Sequence, residues 1–398
     1  MYTISSFSQK RKVLIDTFDK IVYNRETNFH REGAFVISVI LDRRQLHEIP
    51  ELDRQLPKTL GYLTAVLEPL GCHLFAPMEG SLCAWFDFGC DKALAFRADM
   101  DALPITEQTG APYASRHPGA MHACGHDGHM AILLELARGL SKRKQLQRNI
   151  LLVFQPAEEA SGGAKDLCDT GVFETYRVEA IFGLHLWPGL TKGKIFSKPG
   201  PMMSRSAELD VDIFGKSAHI GRSWEGVDSM EAACLFLQEA YALERSLQPD
   251  IRRLLKFGHL QSGTVRNAIA AHTRMEGGLR AFSDEVFFGL RDRLLQIAKE
   301  VEDRFGCTVK VHTSNGYPAI DNPRELHDKV YAIAPFENLT EPSMTTEDFS
   351  WYQRYLPGMF FFLGLGDSPA LHSSNFDFDE SVLTAGADFF EKIAEGWT

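Results

Sequence analysis

The feature that most constrains the fold of this chain is a series of short apolar runs that alternate with helical patterns. The runs are four or five residues long, as buried strands often are, and cover 82–86, 93–96, 150–154, 180–184 and 359–363. Between them, the apolar residues of 60–70 and 132–140 recur at helical spacing. Strands that alternate with helices predict an α/β domain whose sheet is covered by helices on both faces.

Polar residues follow three of these runs at the point where each predicted strand ends. Asp99 and Asp101 follow the second run, Glu158 and Glu159 follow the third, and His185 follows the fourth. Open α/β sheets bind ligands beyond the carboxyl ends of their strands. The sequence therefore predicts a ligand site at this edge of the sheet.

The pattern changes at residue 204. Leu209, Val211 and Ile213 alternate with charged residues, which is typical of a half-exposed strand. Helices are then predicted at about 227–247 and 283–305, and strands at about 252–260, 271–282 and 308–312. This β-α-β-β-α-β order predicts a ferredoxin-like α+β lid inserted into the first domain. We therefore expect a catalytic domain of 41–203 and 315–398, a lid of 204–314 and an N-terminal extension of 1–40, with 34–41 starting a packed helix.

Composition excludes several classes of protein. With 398 residues, the chain is longer than one core usually serves, which favours two domains. The net charge of −11 disfavours nucleic-acid or anionic-membrane partners. No uncharged apolar run reaches the roughly 18 residues of a membrane span. The seven cysteines are scattered and odd in number, so we expect no disulfide framework and a cytoplasmic location.

The stretch 121–129 is the densest cluster of chemically active side chains. It combines one thiol, three imidazoles and a carboxylate around two glycines, immediately before a predicted helix. A thiolate and an imidazole two residues apart, here Cys124 and His126, suit a divalent metal ion such as Zn²⁺. The alternative is a polar turn that contains one buried cysteine.

The other polar clusters also have simpler interpretations. Acidic residues are favoured at helix N-termini, so Glu158 and Glu159 are compatible with a solvated turn. His185 and His372 are compatible with half-buried histidines that have ordinary hydrogen-bond partners. The individual clusters leave these alternatives open.

Taken together, the motifs resemble those of one metallopeptidase superfamily. The matching segments are 43–51, 97–105, 121–129, 155–159, 183–187, 347–349 and 371–372. In these segments the chain resembles the aminoacylase and carboxypeptidase metallopeptidase superfamily, in the branch of hippurate hydrolases and indole-acetyl-amino-acid hydrolases. The segments follow the family's order from about residue 41 to the C-terminus.

The resemblance implies a site for two divalent metal ions, with Zn²⁺, Mn²⁺ or Co²⁺ as the candidates. Cys124 would bridge the ions, and Glu158 would be the general base that takes a proton from water and passes it to the leaving amine. The remaining implied ligands are His126 and Glu159 on one side and His185 and His372 on the other. Asp99 and Asp101 would orient the ligands without binding the ions themselves, and Asp127 and His129 would hold the loop.

For the lid, the resemblance implies contacts with substrate. His219 would donate to the developing oxyanion, often from a neighbouring subunit, which implies a homodimer or homotetramer formed through the lid. Asn267 and Arg280 match positions that hold the carbonyl or carboxylate of the substrate. The chain reads Asn267-Ala-Ile-Ala270 where relatives usually have Asn-Val-Ile-Pro, and 221–225 lacks the usual Pro-His. It also has Thr346 before Glu-Asp-Phe where relatives usually have a small residue. These departures concern substrate preference and leave the implied ligands intact.

The predicted activity is metal-dependent hydrolysis of the amide bond of small N-acyl amino acids, to a carboxylic acid and a free amino acid. Alternatives within this chemistry are an N-acetyl-diaminopimelate deacetylase and a small-dipeptide hydrolase. An inactive homologue that binds a ligand is disfavoured, because every implied ligand and Glu158 are present. A zinc nucleobase deaminase is excluded, because its His-x-Glu and Pro-Cys-x-x-Cys motifs do not occur.

Overall fold

The computed structural model describes residues 31–398. Its helices are α1 (Arg31–His47), α2 (Pro57–Leu67), α3 (His126–Ser141), α4 (Ala164–Asp169), α5 (Val172–Thr175), α6 (Ser229–Ser246), α7 (Asp284–Phe305), α8 (Arg324–Ile333), α9 (Tyr352–Tyr355) and α10 (Leu383–Gly396). Its strands are β1 (His73–Phe75), β2 (Leu82–Phe86), β3 (Ala93–Asp99), β4 (Asn149–Gln155), β5 (Val178–Pro188), β6 (Ile195–Ser197), β7 (Gly200–Met203), β8 (Arg205–Phe214), β9 (Arg253–Ser262), β10 (His272–Ala281), β11 (Thr308–Thr313), β12 (Ile320–Asn322), β13 (Glu337–Asn338) and β14 (Gly358–Gly366). Short 3-10 helices cover Glu68–Leu70, Ile220–Glu225, Asp348–Trp351 and Glu380–Val382.

The larger sheet has the strand order β1-β2-β4-β3-β5-β14-β6-β13 within the described residues. Its four central strands are parallel, because β3 pairs in parallel with β4 and β5, and β14 pairs in parallel with β5. The carboxyl ends of these strands therefore meet at one edge, which is where the predicted ligand site was expected.

Both faces of this sheet are buried. Along β14, Met359, Phe361 and Leu363 belong to one core cluster, whereas Phe360 and Phe362 belong to another on the opposite face. Such alternation follows from the two-residue period of a strand. Helix α3 lies on the first face, with α1 and α10 packed against it. The predicted α/β class, with a sheet covered by helices, is confirmed.

A second, four-stranded sheet forms a separate α+β unit between β8 and β11. Its order is β11-β8-β10-β9, with every neighbouring pair antiparallel, and it carries α6 and α7. Leu209, Val211 and Ile213 of β8 point into its core, against residues such as Phe236 and Leu294 of the two helices. The order of elements is the ferredoxin-like plan expected for an inserted lid.

The two connections between this unit and the larger domain lie side by side. Ser206 N donates to Tyr317 O (3.2 Å), and Ser314 N donates to Glu208 O (3.0 Å). Gly316 is required here, since it has φ 52° and a Cβ at this position would lie 1.7 Å from Ser206 O. The connections therefore form one narrow, hydrogen-bonded neck.

The structure differs from the sequence-based expectations at several boundaries. Helix α1 begins at Arg31 rather than at residue 34, so the boundary drawn at residue 40 falls inside one helix; the rest of the predicted extension, 1–30, lies outside the described residues. Strand β5 does not end at residue 184 but continues through His185, because β14 pairs with it as far as Pro188. None of the helices described over 31–398 combines the length and the apolar character of a membrane span.

Candidate metal and catalytic site

The loop that carries Cys124 and His126 is fixed by close contact with β5. Gly125 adopts φ 91°, and a Cβ there would lie 3.1 Å from the Leu186 side chain. A non-glycine residue would therefore be both strained and crowded at this position. Because α3 begins at His126, the two side chains are mounted on a short loop and the first residue of a buried helix.

The structure brings Cys124 together with residues that are distant in the sequence. Its Sγ lies 3.3 Å from His185 Nε2 and 3.3 Å from His372 Nε2. Glu159 Oε1 lies 3.4 Å from His372 Nε2 and 3.8 Å from His126 Nε2. All five side chains named as metal ligands therefore meet at the carboxyl edge of the larger sheet.

Cys124 belongs to two overlapping groups of potential ligand atoms. One contains His126 and His185, and the other contains Glu159 and His372, each with its atoms within 4.8 Å of one another. A thiol shared by two groups is the arrangement that a bridging ligand needs. The partition differs from the one implied by the resemblance, which pairs His126 with Glu159 and His185 with His372, although His126 and Glu159 also share a further group.

The orientation of two imidazoles fits metal binding. His126 Nδ1 donates to Asp101 O (2.7 Å), and His185 Nδ1 donates to Leu186 O (2.7 Å). Because a carbonyl only accepts, each Nδ1 carries a proton, so Nε2 is the ring nitrogen that is left to bind a metal ion. Among the described residues, the buried His126 Nε2 has no hydrogen-bond partner, which a metal ion would provide.

His129 differs from these two histidines. Its Nδ1 donates to Asp99 Oδ1 (2.6 Å), and its Nε2 accepts from Leu186 N (3.0 Å). Both ring nitrogens are therefore occupied by protein groups. This geometry suits a residue that fixes the loop against β3 and β5 rather than a metal ligand.

The electrostatics of the cluster also favour a cation. Burial raises the pKa of the Cys124 thiol well above its usual range, and the charges of Glu159 and Glu158 add to the effect. Burial also holds the pKa of His185 well below its usual range, so this imidazole is neutral at pH 7. A divalent ion would reverse the first effect, since a coordinating thiol is deprotonated outright.

Asp101 fixes the loop that carries the two adjacent glutamates. Its Oδ1 accepts from Glu158 N (2.9 Å) and its Oδ2 accepts from Glu159 N (3.0 Å). Ala157, just before them, has φ 64° and so turns the chain sharply. Burial raises the pKa of Asp101 to about 7. The single carboxylate therefore sets the position of both acidic residues.

The two glutamates face different surroundings. Glu159 faces His126 and His372, whereas the carboxylate of Glu158 lies within 4.8 Å of ligand atoms of Glu347 and Asp348 as well as near the metal cluster. Burial raises the pKa of Glu158 well above its usual range, and Glu347 raises it further. A carboxylate with a raised pKa is suited to accept a proton from water.

A buried arginine behind the site was not given a role by the sequence. The Arg97 guanidinium donates to Asp99 Oδ2 (2.8 Å), Gln155 Oε1 (2.8 Å), Glu347 Oε1 (3.0 Å) and Asp348 Oδ1 (2.9 Å). Its positive charge balances the carboxylates of Asp99, Glu347 and Asp348. The last two lie beside the carboxylate of Glu158. The signal for it is a charged residue directly after the apolar run 93–96 in the same strand, which needs buried partners.

The lid residues lie apart from this cluster. His219 and Asn267 are exposed, with His219 Nδ1 accepting from Gly221 N (3.1 Å) and Asn267 O accepting from Ile220 N (3.0 Å). Arg280 is half-buried and donates to Met344 O. Within one subunit and residues 31–398, no hydrogen bond or ion pair joins these three to Cys124 and its neighbours. Their roles toward substrate stay predictions.

The chain belongs to peptidase family M20/M25/M40, whose model matches residues 95–396. It is 34% identical over 368 residues to an N-acetyldiaminopimelate deacetylase of Lacticaseibacillus casei, covering 86% of this chain and 94% of that protein. It is also 34% identical over 357 residues to the enzyme of the same name from Listeria monocytogenes, covering 87% and 95%.

Among solved structures, it is similar to a Bacillus subtilis protein described as a dinuclear metal-binding peptidase of the M20 family. The TM-score is 0.81 at 29% identity, covering 91% of this chain and 98% of that one. These similarities confirm the predicted superfamily and the predicted class of enzyme. The protein is an M20-family hydrolase whose relatives act on amide bonds.

Proposed function

We propose that this chain is a metal-dependent deacetylase that hydrolyses N-acetyl-diaminopimelate to acetate and the free diamino acid. The observation that carries the hydrolase chemistry is the group of donors around Cys124 with the buried Glu158 beside it. Of the alternatives weighed from the sequence, the deacetylase is better supported than the broader N-acyl amino acid hydrolase. The relatives that bear the deacetylase name align with 86–87% of the chain.

In this proposal, two divalent ions are held by Cys124 and the ligands around it. The ions would be Zn²⁺, Mn²⁺ or Co²⁺, and the ligands are His126, Glu159, His185 and His372. When bound, such ions supply a water nucleophile at neutral pH and polarise the acyl carbonyl. The similar Bacillus subtilis protein is described as dinuclear, which supports two ions rather than one.

The residues of the chain itself perform the proton transfer and the positioning. Glu158 accepts the proton of the attacking water and delivers it to the leaving amine, a role that typically contributes about 10²–10⁴-fold to the rate. Asp101 holds Glu158 in place through the backbone, and Asp99 orients His129 against β5. Asn267 and Arg280 of the lid hold the carbonyl or carboxylate of the substrate.

His219 completes the site as the donor to the oxyanion, supplied by the same subunit or by a neighbour. A homodimer or homotetramer through the lid is supported by β9, an edge strand that is exposed over residues 258–261. Trp224 of the lid is 77% exposed, which is typical of a residue that contacts another chain. Mixing His219→Ala with Glu158→Gln protein tests the origin of the donor. Restored activity indicates a donor from the neighbouring subunit, and no restoration indicates the same subunit.

Acetate or acyl release from a panel of substrates tests the proposed function. Metal-free protein is loaded with Zn²⁺, Mn²⁺ or Co²⁺ and assayed with N-acetyl-diaminopimelate, other N-acetyl amino acids, N-benzoyl-glycine and dipeptides. We expect kcat/KM for N-acetyl-diaminopimelate to exceed the others by at least about tenfold, or about 1.4 kcal/mol in transition-state binding. Glu158→Gln protein with the same metal content is the matched control.

Other outcomes would contradict the proposal in different ways. A preference for N-benzoyl or other N-acyl amino acids would favour the broader hydrolase. A preference for dipeptides would favour a peptidase. Hydrolysis of none of these by protein that holds two ions would indicate an inactive homologue.

A further inference from the structure

The basic motif near the N-terminus has no part in the chemistry above, although one of its residues is fully buried. The Arg43 side chain is inaccessible to solvent, whereas its neighbour Arg44 is 42% exposed. Taking a guanidinium out of water is costly unless charged partners surround it. The residues that contact Arg43 therefore indicate why a charged side chain is buried in helix α1.

One partner of Arg43 lies directly beside a proposed metal ligand. Arg43 Nε donates to Asp127 Oδ2 (2.8 Å), and Asp127 follows His126 in the sequence. The same oxygen accepts from His47 Nδ1 (2.7 Å), and Asp127 Oδ1 accepts from Gly128 N (2.9 Å). The carboxylate of Asp127 is thus held on the α1 side of the loop, which fixes the start of α3.

The other partners of Arg43 belong to the segment that follows His372. Arg43 Nη2 lies 2.9 Å from Asp377 Oδ1, and Nη1 donates to Glu380 Oε1 (3.3 Å). Asp377 is also fixed by Tyr113, whose hydroxyl donates to Oδ2 (2.8 Å). One planar side chain thus bonds to both segments that carry ligands, although they are far apart in the sequence.

His372 makes polar contacts between the two segments, and Phe378 and Leu383 pack beside Gly128. His372 N donates to Ala123 O (2.8 Å), and His372 itself has φ 64° and a side chain that is 52% exposed. An exposed residue with a left-handed backbone has little packing to hold it against Cys124. The bonds to Arg43 supply a further attachment behind this hydrogen bond.

We propose that Arg43 is a positioning residue that joins the Cys124–His126 loop to the His372 segment, so that metal affinity depends on a side chain that touches no ligand. The inference rests on the proposed function only in requiring that the site binds metal. Arginine is needed because its fork of five donors reaches Asp127 and Asp377 in different directions. A lysine carries the same charge at a single point.

Binding of Co²⁺ to metal-free protein tests this inference. Equilibrium dialysis gives the number and affinity of bound ions, and the visible absorption of Co²⁺ reports thiolate ligation by Cys124. Partners behind metal ligands typically affect affinity by about 10–100-fold, and we expect Arg43→Met to lose affinity for at least one ion within this range. Arg43→Lys should bind as weakly as Arg43→Met. Arg143→Met, which removes a half-exposed arginine that pairs with Glu391 and Glu395 just beyond the other end of α3, should remain within about twofold of wild type.

Two results for the Arg43 variants would contradict this inference. Wild-type Co²⁺ binding by folded Arg43→Met protein, or recovery by Arg43→Lys, would overturn the joining role. If Arg43→Met protein shows no cooperative unfolding, Asp377→Ala decides, because it removes one partner of Arg43 at a partly exposed residue. That variant should bind Co²⁺ at least about threefold more weakly, and unchanged binding would overturn the inference.

Failure of wild type to bind two ions would instead refute the dinuclear site, and the choice of acyl substrate has no effect on this assay.

Discussion

Replacing Asp101 by asparagine isolates the role of one carboxylate in placing both acidic residues. Each Asp101 oxygen accepts one backbone N–H, from Glu158 at 2.9 Å and from Glu159 at 3.0 Å. The amide nitrogen of asparagine cannot accept, so one N–H loses its partner in either orientation of the side chain. The substitution keeps the size of the side chain, removes one acceptor and removes the carboxyl charge near His126.

The expected magnitude follows from leaving one buried backbone N–H without an acceptor. An unsatisfied buried donor costs about 1–3 kcal/mol, and Asp101 is buried, so little water can replace the lost acceptor. We expect Asp101→Asn to weaken metal binding and to lower kcat/KM by roughly 5- to 150-fold, at about 1.4 kcal/mol per tenfold. The metal effect arises through Glu159 and the rate effect through Glu158.

Dialysis against Co²⁺ or Zn²⁺ and the acetate-release assay measure the two effects separately. Asp53→Asn is the matched control, because Asp53 Oδ1 accepts from Ser161 Oγ (2.6 Å) at the far end of the same loop. An asparagine oxygen can replace this single acceptor, so the control should remain near wild type. Asp101→Asn protein with metal affinity and kcat/KM both within twofold of wild type would refute the reasoning.

Three further predictions concern the same region. Cys124→Ser should lose metal and activity while far-ultraviolet circular dichroism stays unchanged, because a hydroxyl is a poor replacement for a bridging thiolate; full occupancy by metal analysis would make the cysteine merely structural. Glu158→Gln should keep its metal and lose nearly all turnover, whereas Glu159→Gln should lose metal affinity and recover partly in excess metal; the reverse pattern would exchange their roles. Burial opposes protonation of His47, but Asp127 outweighs it and raises the His47 pKa to about 9. Charged His47 therefore stabilises the fold fully below pH 6.5, and this contribution disappears as pH rises through 9, so His47→Gln should flatten the decline of Tm over that interval.

The sequence predicted the fold well where one local pattern determined each element. Leu209, Val211 and Ile213 alternate as expected, and α7 ends at Phe305, followed by Gly306 in the left-handed conformation. The short strands β6 and β13, at one side of the larger sheet, were not predicted. They contain two or three residues and exist because a neighbouring strand pairs with them, which no local pattern records.

At the candidate site too, local spacing was visible in the sequence, whereas contacts between distant residues were not. The spacing of Cys124 and His126 is visible in the sequence, and the family resemblance indicated which distant residues join them. Arg43 and Arg97 were part of matching motifs, but their partners became known only from the structure. Burial of a charge is a three-dimensional property, so the sequence gives a reason to look for a partner without naming it.

The position of β14 in the larger sheet has a consequence for synthesis of the protein. β14 lies between β5 and β6, yet β5 ends at Pro188 and β14 begins only at Gly358. At about 5–20 residues per second, a ribosome needs roughly ten to thirty seconds to make the intervening chain. During that time β5 is an apolar strand with one unpaired edge, while the inserted unit can already fold on its own core. The larger sheet therefore keeps an exposed apolar edge until the last tenth or so of the chain is made.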